Sequence, residues 1–179
     1  MIDNQENWIC ARTRCNQEIL LRDHLIKSNI LYFIPTIQKI IKQSKGIKEG
    51  EKPLIPNLIF LKTNWKTAFN FLFTHKNKIN YIRQKDNRIL VIPERQMEDF
   101  IRLTNEIGDK IKVNPNCYVT GDRVMIKSGP LAGMEGILTE CGGKREFTLC
   151  VGTFMSVSVR VPKSNLIKIS AIKEQPGRK

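Results

Sequence analysis

Glycine or proline interrupts the chain at Gly121, Gly129, Pro130, Gly133 and Gly136, and between these breaks lie only short apolar runs. Both residue types are costly inside a helix, so a helix of ordinary length cannot be threaded through this stretch. A hairpin can. Gly121-Asp122 turns the chain into a strand whose Val124 and Ile126 face inward. Gly129-Pro130 makes the next turn, and Gly133 and Gly136 permit a positive φ or a close backbone approach. Ile137-Leu138 resumes the sheet. Short runs continue through Phe147, Leu149, Val151, Val157, Val159 and Val161, divided by Gly142-Gly143 and by Pro162-Lys163-Ser164-Asn165. Residues 118–170 are therefore expected to form a small five-stranded β-barrel. The β-branched Val157–Val161 run favours strands, so no helical state is expected for residues 120–165.

The preceding region has a different rhythm. Trp8–Thr13 reads as a strand. A helix follows to about Ser28, capped by Asn16, with Ile19, Leu21, Leu25 and Ile26 as its apolar face. Ile30–Ile34 is extended, and Pro35 fits an edge or a bulge. Ile37, Ile40 and Ile41 continue a strand into a basic, glycine-containing loop or hairpin tip at residues 43–52. Leu54–Leu61 is a strongly apolar strand interrupted by Pro56-Asn57. Thr63 or Asn64 caps a second helix to about Thr74, which carries Trp65, Ala68, Phe69 and Leu72. Short strands at 81–83 and 89–92 flank a turn at Asp86-Asn87. Pro93-Glu94 opens a third helix whose Met97, Phe100, Ile101 and Thr104 recur at 3–4 spacing. The order β-α-β-β-α-β-β-α implies an α+β fold, an antiparallel sheet with packed helices, over residues 5–107. Residues 108–117 read as a linker and 171–179 as a disordered tail.

The formal charge is +13, and the excess is spread over both parts of the chain. Such a field favours polyanions, with nucleic acid ahead of an acidic membrane. No apolar run approaches the roughly 20 residues that span a bilayer. The polar, acidic first residues show no signal peptide, so cytoplasmic residence and no membrane partner are expected. Five cysteines, none at C-x-x-C spacing, and two histidines give no recognisable metal site, and no cofactor is implied. P-loop, G-x-G-x-x-G, H-E-x-x-H and G-x-S-x-G signatures are missing, and no carboxylate pair is placed for acid/base work. No catalytic residue is assigned, and the chain is expected to bind rather than to act as an enzyme.

The Gly121–Leu138 segment closely resembles the KOW motif, with Gly121, Asp122, Val124, Gly129, Pro130, Gly133 and Gly136 at its marked positions. KOW modules occur in NusG-type transcription factors and in some ribosomal proteins. Trp8–Thr13, Glu18, Pro35 and Pro53–Phe60 resemble, in order and spacing, the NusG N-terminal (NGN) domain, which ribosomal KOW proteins lack. The Pro56-Asn57 pair, where the housekeeping factor prefers Pro-Gly, is similar to the RfaH-like paralogues. Ile92–Ile101 is similar to the UpxY group, antiterminators of surface-polysaccharide operons.

The resemblance implies a transcription elongation and antitermination factor with an NGN-like domain and a KOW barrel. It implies docking onto the clamp helices of RNA polymerase through Arg12, Ile55, Pro56, Leu58 and Phe60. Arg12, Ile55 and Leu58 depart from aromatic family positions. It also implies contact with the non-template DNA strand through Arg14, His24, Lys27, His75 and Lys76, where cations hold phosphates and a histidine stacks on or bonds a flipped base. The KOW barrel would recruit a ribosomal protein or a termination factor, and the divergence after Leu138 leaves that partner open. A monomer is the default. The alternative reading is an RNA-binding or ribosome-associated KOW protein acting through its charge.

Overall fold

The structure, a computed structural model, describes residues 5–14, 17–43, 46–115, 120–141 and 143–169. Two compact units divide the chain, Met1–Asp109 and Lys110–Lys179. The expected tail at 171–179 and the expected cap Asn16 lie outside the described residues.

In the first unit the elements run β1 (Asn7–Thr13), α1 (Glu18–Lys27), β2 (Leu31–Phe33), β3 (Thr36–Gln43), β4 (Gly46–Pro53), β5 (Leu58–Thr63), α2 (Trp65–Thr74), β6 (Ile79–Tyr81), β7 (Val91–Ile92) and α3 (Glu94–Ile107). One antiparallel sheet has the order β2-β5-β1-β6, with β7 also pairing with β1. Strand β1 is central, pairing Ile9 with Leu61 and Ala11 with Ile59. Because side chains alternate along a strand, Ile9, Ala11, Ile59 and Leu61 share one face. There they form a core with Leu21 and Leu25 of α1 and Ala68 and Phe71 of α2. Phe60 points the other way and meets Phe33 and Phe100, the latter on α3, at ring-centroid distances of 6.3 and 5.5 Å. Both faces of the sheet are thus covered by apolar side chains, each fully buried one contributing about 1.5–3 kcal/mol.

Several local expectations change. Of the two forms expected for the basic stretch, loop or hairpin tip, the hairpin is found: β3 and β4 pair antiparallel from Thr36↔Pro53 to Gln43↔Gly46. Leu54–Asn57 is a turn, and the strand begins only at Leu58. Asn57 explains the break, since its φ of +62° is left-handed, a conformation that asparagine and glycine tolerate best. Gln17 occupies the N-cap of α1 and makes no side-chain cap bond. That helix buries only Glu18, Leu21 and Leu25, leaving Ile19 and Ile26 exposed. Asn64 caps α2 by accepting from the Thr67 N–H at 2.9 Å. On α2 it is Phe71 that is buried, while Phe69 faces solvent. On α3 Leu103 is buried alongside Met97, Phe100 and Thr104, and Ile101 is only half-buried.

The second unit holds β8 (Lys112–Asn114), β9 (Asp122–Ile126), β10 (Glu135–Cys141), β11 (Lys144–Val151), β12 (Met155–Val159) and β13 (Leu166–Lys168). They form one antiparallel sheet in the order β13-β9-β10-β11-β12-β8. Six strands replace the expected five because Lys112–Asn114, read as linker, pairs with Ser156–Ser158. A 3-10 turn at Gly108–Lys110 precedes it. Phe147, Leu149, Val151, Val157 and Val159 are buried. The alternate residues carry hydroxyls that link strands: Thr139 to Thr148 at 2.9 Å and Thr148 to Ser158 at 3.0 Å. Every described residue between 120 and 165 is strand, turn, 3-10 turn or irregular; none is α-helical.

The turn chemistry follows the sequence. Gly133 has a φ of +81° and donates to the Ile126 carbonyl at 2.8 Å. Gly136 is extended against its neighbour strand. A Cβ there would sit 2.5 Å from Phe147 Cζ and 2.7 Å from the Thr148 carbonyl oxygen.

Candidate functional site

Arg12 faces Leu58 across the β1–β5 ladder. Alternation puts Arg12, Leu58 and Phe60 on the face that Phe100 of α3 packs against. Arg12 is exposed, Pro56 is exposed and Ile55 is half-buried. Leu58 and Phe60 are not surface residues: they are 2% and 0% exposed. Central pairing and the aromatic cluster of Phe33, Phe60 and Phe100 account for Phe60. The accessible part of the predicted docking patch is therefore the Ile55-Pro56 turn with Arg12 beside it.

That turn is held from within. The buried Glu18 carboxylate accepts the Asn57 N–H, and the Asn57 carbonyl accepts from Thr13 N–H at 3.0 Å. Leu54 N–H donates to the Pro35 carbonyl at 2.7 Å. Glu18 and Pro35, widely separated in sequence from the turn, are thus its anchors. Glu18 Oε2 and Thr13 Oγ1 are buried without a protein partner, among the described residues.

Of the residues expected to meet nucleic acid, the structure brings the two histidines together. His24 on α1 and His75 after α2 have ring centroids 4.7 Å apart, and Phe71 lies 4.5 Å from His75. Arg14 N–H donates to the Lys78 carbonyl at 3.2 Å, which brings β1's end to the loop that carries His75 and Lys76. Arg14, Lys27 and Lys76 are exposed. Partial burial, then the nearby His24 and Lys78, push the His75 imidazole below its ordinary pKa. A neutral ring at neutral pH suits stacking and hydrogen bonding better than ion pairing. Lys78, not singled out in the sequence, lies close to His75 because its N–H donates to the His75 carbonyl at 2.7 Å.

In the second unit, Gly121, Asp122 and Val124 line an open groove with Leu138, Arg145 and Lys163. Lys168 pairs with Asp122 there at 2.9 Å. Gly129 and Pro130 lie in the β9–β10 turn, where Ala132 N–H donates to the Gly129 carbonyl at 3.0 Å. Among the described residues, no group of three or more His, Cys, Asp or Glu side chains is arranged to hold a metal ion. No helix among them is long and apolar enough to cross a membrane. Burial raises the Cys10 thiol well above its usual pKa, which disfavours the reactive thiolate.

Residues 6–101 match the NusG family model, described as transcription termination factor nusG. The chain belongs to the NusG family. The matched residues lie within the first unit. Among curated proteins, 143 residues (78% of the chain) are 26% identical to DNA-directed RNA polymerase subunit β′ of Borrelia recurrentis (strain A1), covering 9% of it. A stretch of 104 residues (58% of the chain) is 30% identical to the same subunit of Borrelia turicatae (strain 91E135), covering 7% of it. The chain thus spans less than a tenth of the length of these relatives. Among solved structures, it is similar to Thermotoga maritima NusG at 19% identity, with a TM-score of 0.49 and coverage of 93% of this chain and 98% of that one. It is also similar to the MjSpt4:Spt5 complex at 14% identity, with a TM-score of 0.29 and coverage of 93% and 99%.

Proposed function

We propose that this NusG-family chain is an elongation and antitermination factor that docks on the clamp helices of RNA polymerase. It promotes processive transcription of particular operons, as UpxY-type factors do, and works in the cytoplasm without a cofactor. The observation that carries this reading is the Ile55-Pro56 turn, fixed by Glu18 and Thr13 and flanked by the exposed Arg12. A rigid, partly apolar projection beside a cation suits a ridge of helical side chains. The similarity to segments of polymerase subunit β′ agrees with a place at the polymerase.

Operon choice, in this reading, comes from the non-template DNA strand meeting the His24–His75 face. The second unit acts as a KOW module whose Asp122–Lys168 groove receives a ribosomal protein or a termination factor. One polymerase-bound monomer bridges these partners.

Elongation on purified polymerase tests the proposal. Adding the chain is expected to shorten pauses and increase full-length transcript from a template bearing its target leader. Unchanged pausing, or greater termination on that template, would contradict antitermination.

A further inference from the structure

We propose that a cleft between α2 and the Arg83–Val91 segment binds single-stranded nucleic acid, with a base stacked on Trp65 and Phe69 and its phosphate held by Arg83. The inference rests on the nucleic-acid part of the reading above, but uses none of the residues of the His24–His75 face.

The cleft has a volume of about 510 Å³ and combines an apolar floor with a cationic rim. Trp65, Phe69, Ile89 and Val91 supply the floor; Arg83 and Arg88 supply the rim. Phe69 is 53% exposed, although α2 has a buried face available. One helical turn on, Phe73 is 81% exposed. Trp65, Phe69 and Phe73 follow at four-residue spacing, about 6 Å of rise per step, so they form an aromatic strip along one side of the helix. Flat apolar faces beside cations match a chain of bases and phosphates, and stacking on aromatics is the main sequence-tolerant contact to single strands.

The two arginines differ in what they can offer. Arg88 is engaged by Asp86 at 2.5 Å, so much of its charge is already neutralised. Arg83 donates one guanidinium N–H to the Asn87 carbonyl at 2.8 Å, and among the described residues no carboxylate pairs with it. Asn87 sits at a φ of +67°, closing the turn that supports this bond. The bond aims Arg83 while leaving its other N–H groups for a phosphate. An apolar peptide would use the floor and leave the rim cation unmatched.

Tryptophan fluorescence of the full chain reads the site directly, because Trp8 is only 4% exposed while Trp65 lines the cleft. Titration with a single-stranded oligo(dT) of about 12 nucleotides is expected to quench emission saturably, and less so as salt rises. Phe69→Ala is expected to weaken that binding about tenfold, as loss of a base-stacking platform does. Arg83→Gln should weaken it too, and neither variant should alter circular dichroism. His24→Ala with His75→Ala should leave the Trp65 quench in place even if total DNA affinity falls, separating this cleft from the histidine face. Unaltered affinity in Phe69→Ala, or no quench by the oligonucleotide, would overturn the proposal. So would equal quenching by thymidine monophosphate, which would make this a free-nucleotide site. Stronger quenching by a Phe-containing acidic peptide would assign the cleft to a protein instead.

Discussion

Phe100→Ala is expected to cost the first unit about 3–5 kcal/mol, the usual range for removing a fully buried phenylalanine. Phe100 is 0% exposed and contacts two further rings, Phe60 at 5.5 Å and Phe33 at 5.7 Å, both near edge-to-face. Those rings sit on β5 and β2, so one side chain of α3 joins two strands to the helix. Truncation leaves a void beside Phe60 and Phe33 and takes from both rings their edge-to-face partner. Urea unfolding followed by circular dichroism checks this, with the midpoint falling and the slope unchanged. Phe100→Leu should recover much of the loss, since it keeps most of the volume.

Gly136→Val should be comparably damaging to the second unit, for the opposite reason. The smallest side chain there already collides with Phe147 Cζ at 2.5 Å, Cε2 at 2.6 Å and the Thr148 carbonyl oxygen at 2.7 Å. A ring can turn aside, but a ladder oxygen of a central strand cannot. Overpacking of this kind costs about 1–3 kcal/mol and sometimes more, by forcing backbone shifts. Amide resonances of Asp122–Ile126 and Lys144–Val151, which flank Gly136, should move or broaden, and thermal unfolding of this unit should begin earlier. Unaltered spectra would mean that the β10–β11 approach is looser than described. Gly133→Ala is the contrasting case. Its Cβ meets nothing within 4 Å, and the penalty comes only from φ +81°.

Elements with strong periodicity were legible in the sequence. The 3–4 spacing of Met97, Phe100 and Thr104 reflects the one buried face of α3, whereas Trp8–Thr13 is buried on both faces apart from Arg12, as suits a central strand. The β3–β4 hairpin was legible only as one of two alternatives, because Lys42–Lys52 has charge and glycine but little alternation. Its pairing comes from backbone ladder bonds, which side-chain pattern does not encode. Strand β8 was missed for a related reason: three residues carry too short a pattern, and pairing with β12 defines them. Phe69 was expected inward, yet Phe71 is the buried ring: α2 carries apolar residues on more than one side, so spacing alone does not choose between them.

The candidate surfaces were half legible. Trp8–Thr13 and Pro53–Phe60 pointed to adjacent strands, and they are adjacent. What the sequence could not reveal is that a continuous apolar strand buried on both faces leaves Leu58 and Phe60 inside, with Ile55 and Pro56 in the turn before it. His24 and His75, 51 residues apart, are neighbours only because α1 and α2 pack on the same side of the sheet. Glu18's grip on Asn57 is likewise a tertiary bond between a helix start and a turn, which no local pattern announces.

Polymerase docking can be measured as binding of the full chain to an isolated clamp-helix pair. The wild-type chain is expected to bind, and Ile55→Glu and Arg12→Glu are each expected to weaken binding by about tenfold or more, equivalent to about 1.4 kcal/mol. Arg12 is exposed and Ile55 half-buried, so circular dichroism should confirm that both variants remain folded. Phe69→Ala, remote from the turn in sequence and on another element, should bind as the wild type does. Absence of binding by the folded wild-type chain would contradict polymerase docking, and undiminished binding by both charge variants would contradict its assignment to the Ile55-Pro56 turn.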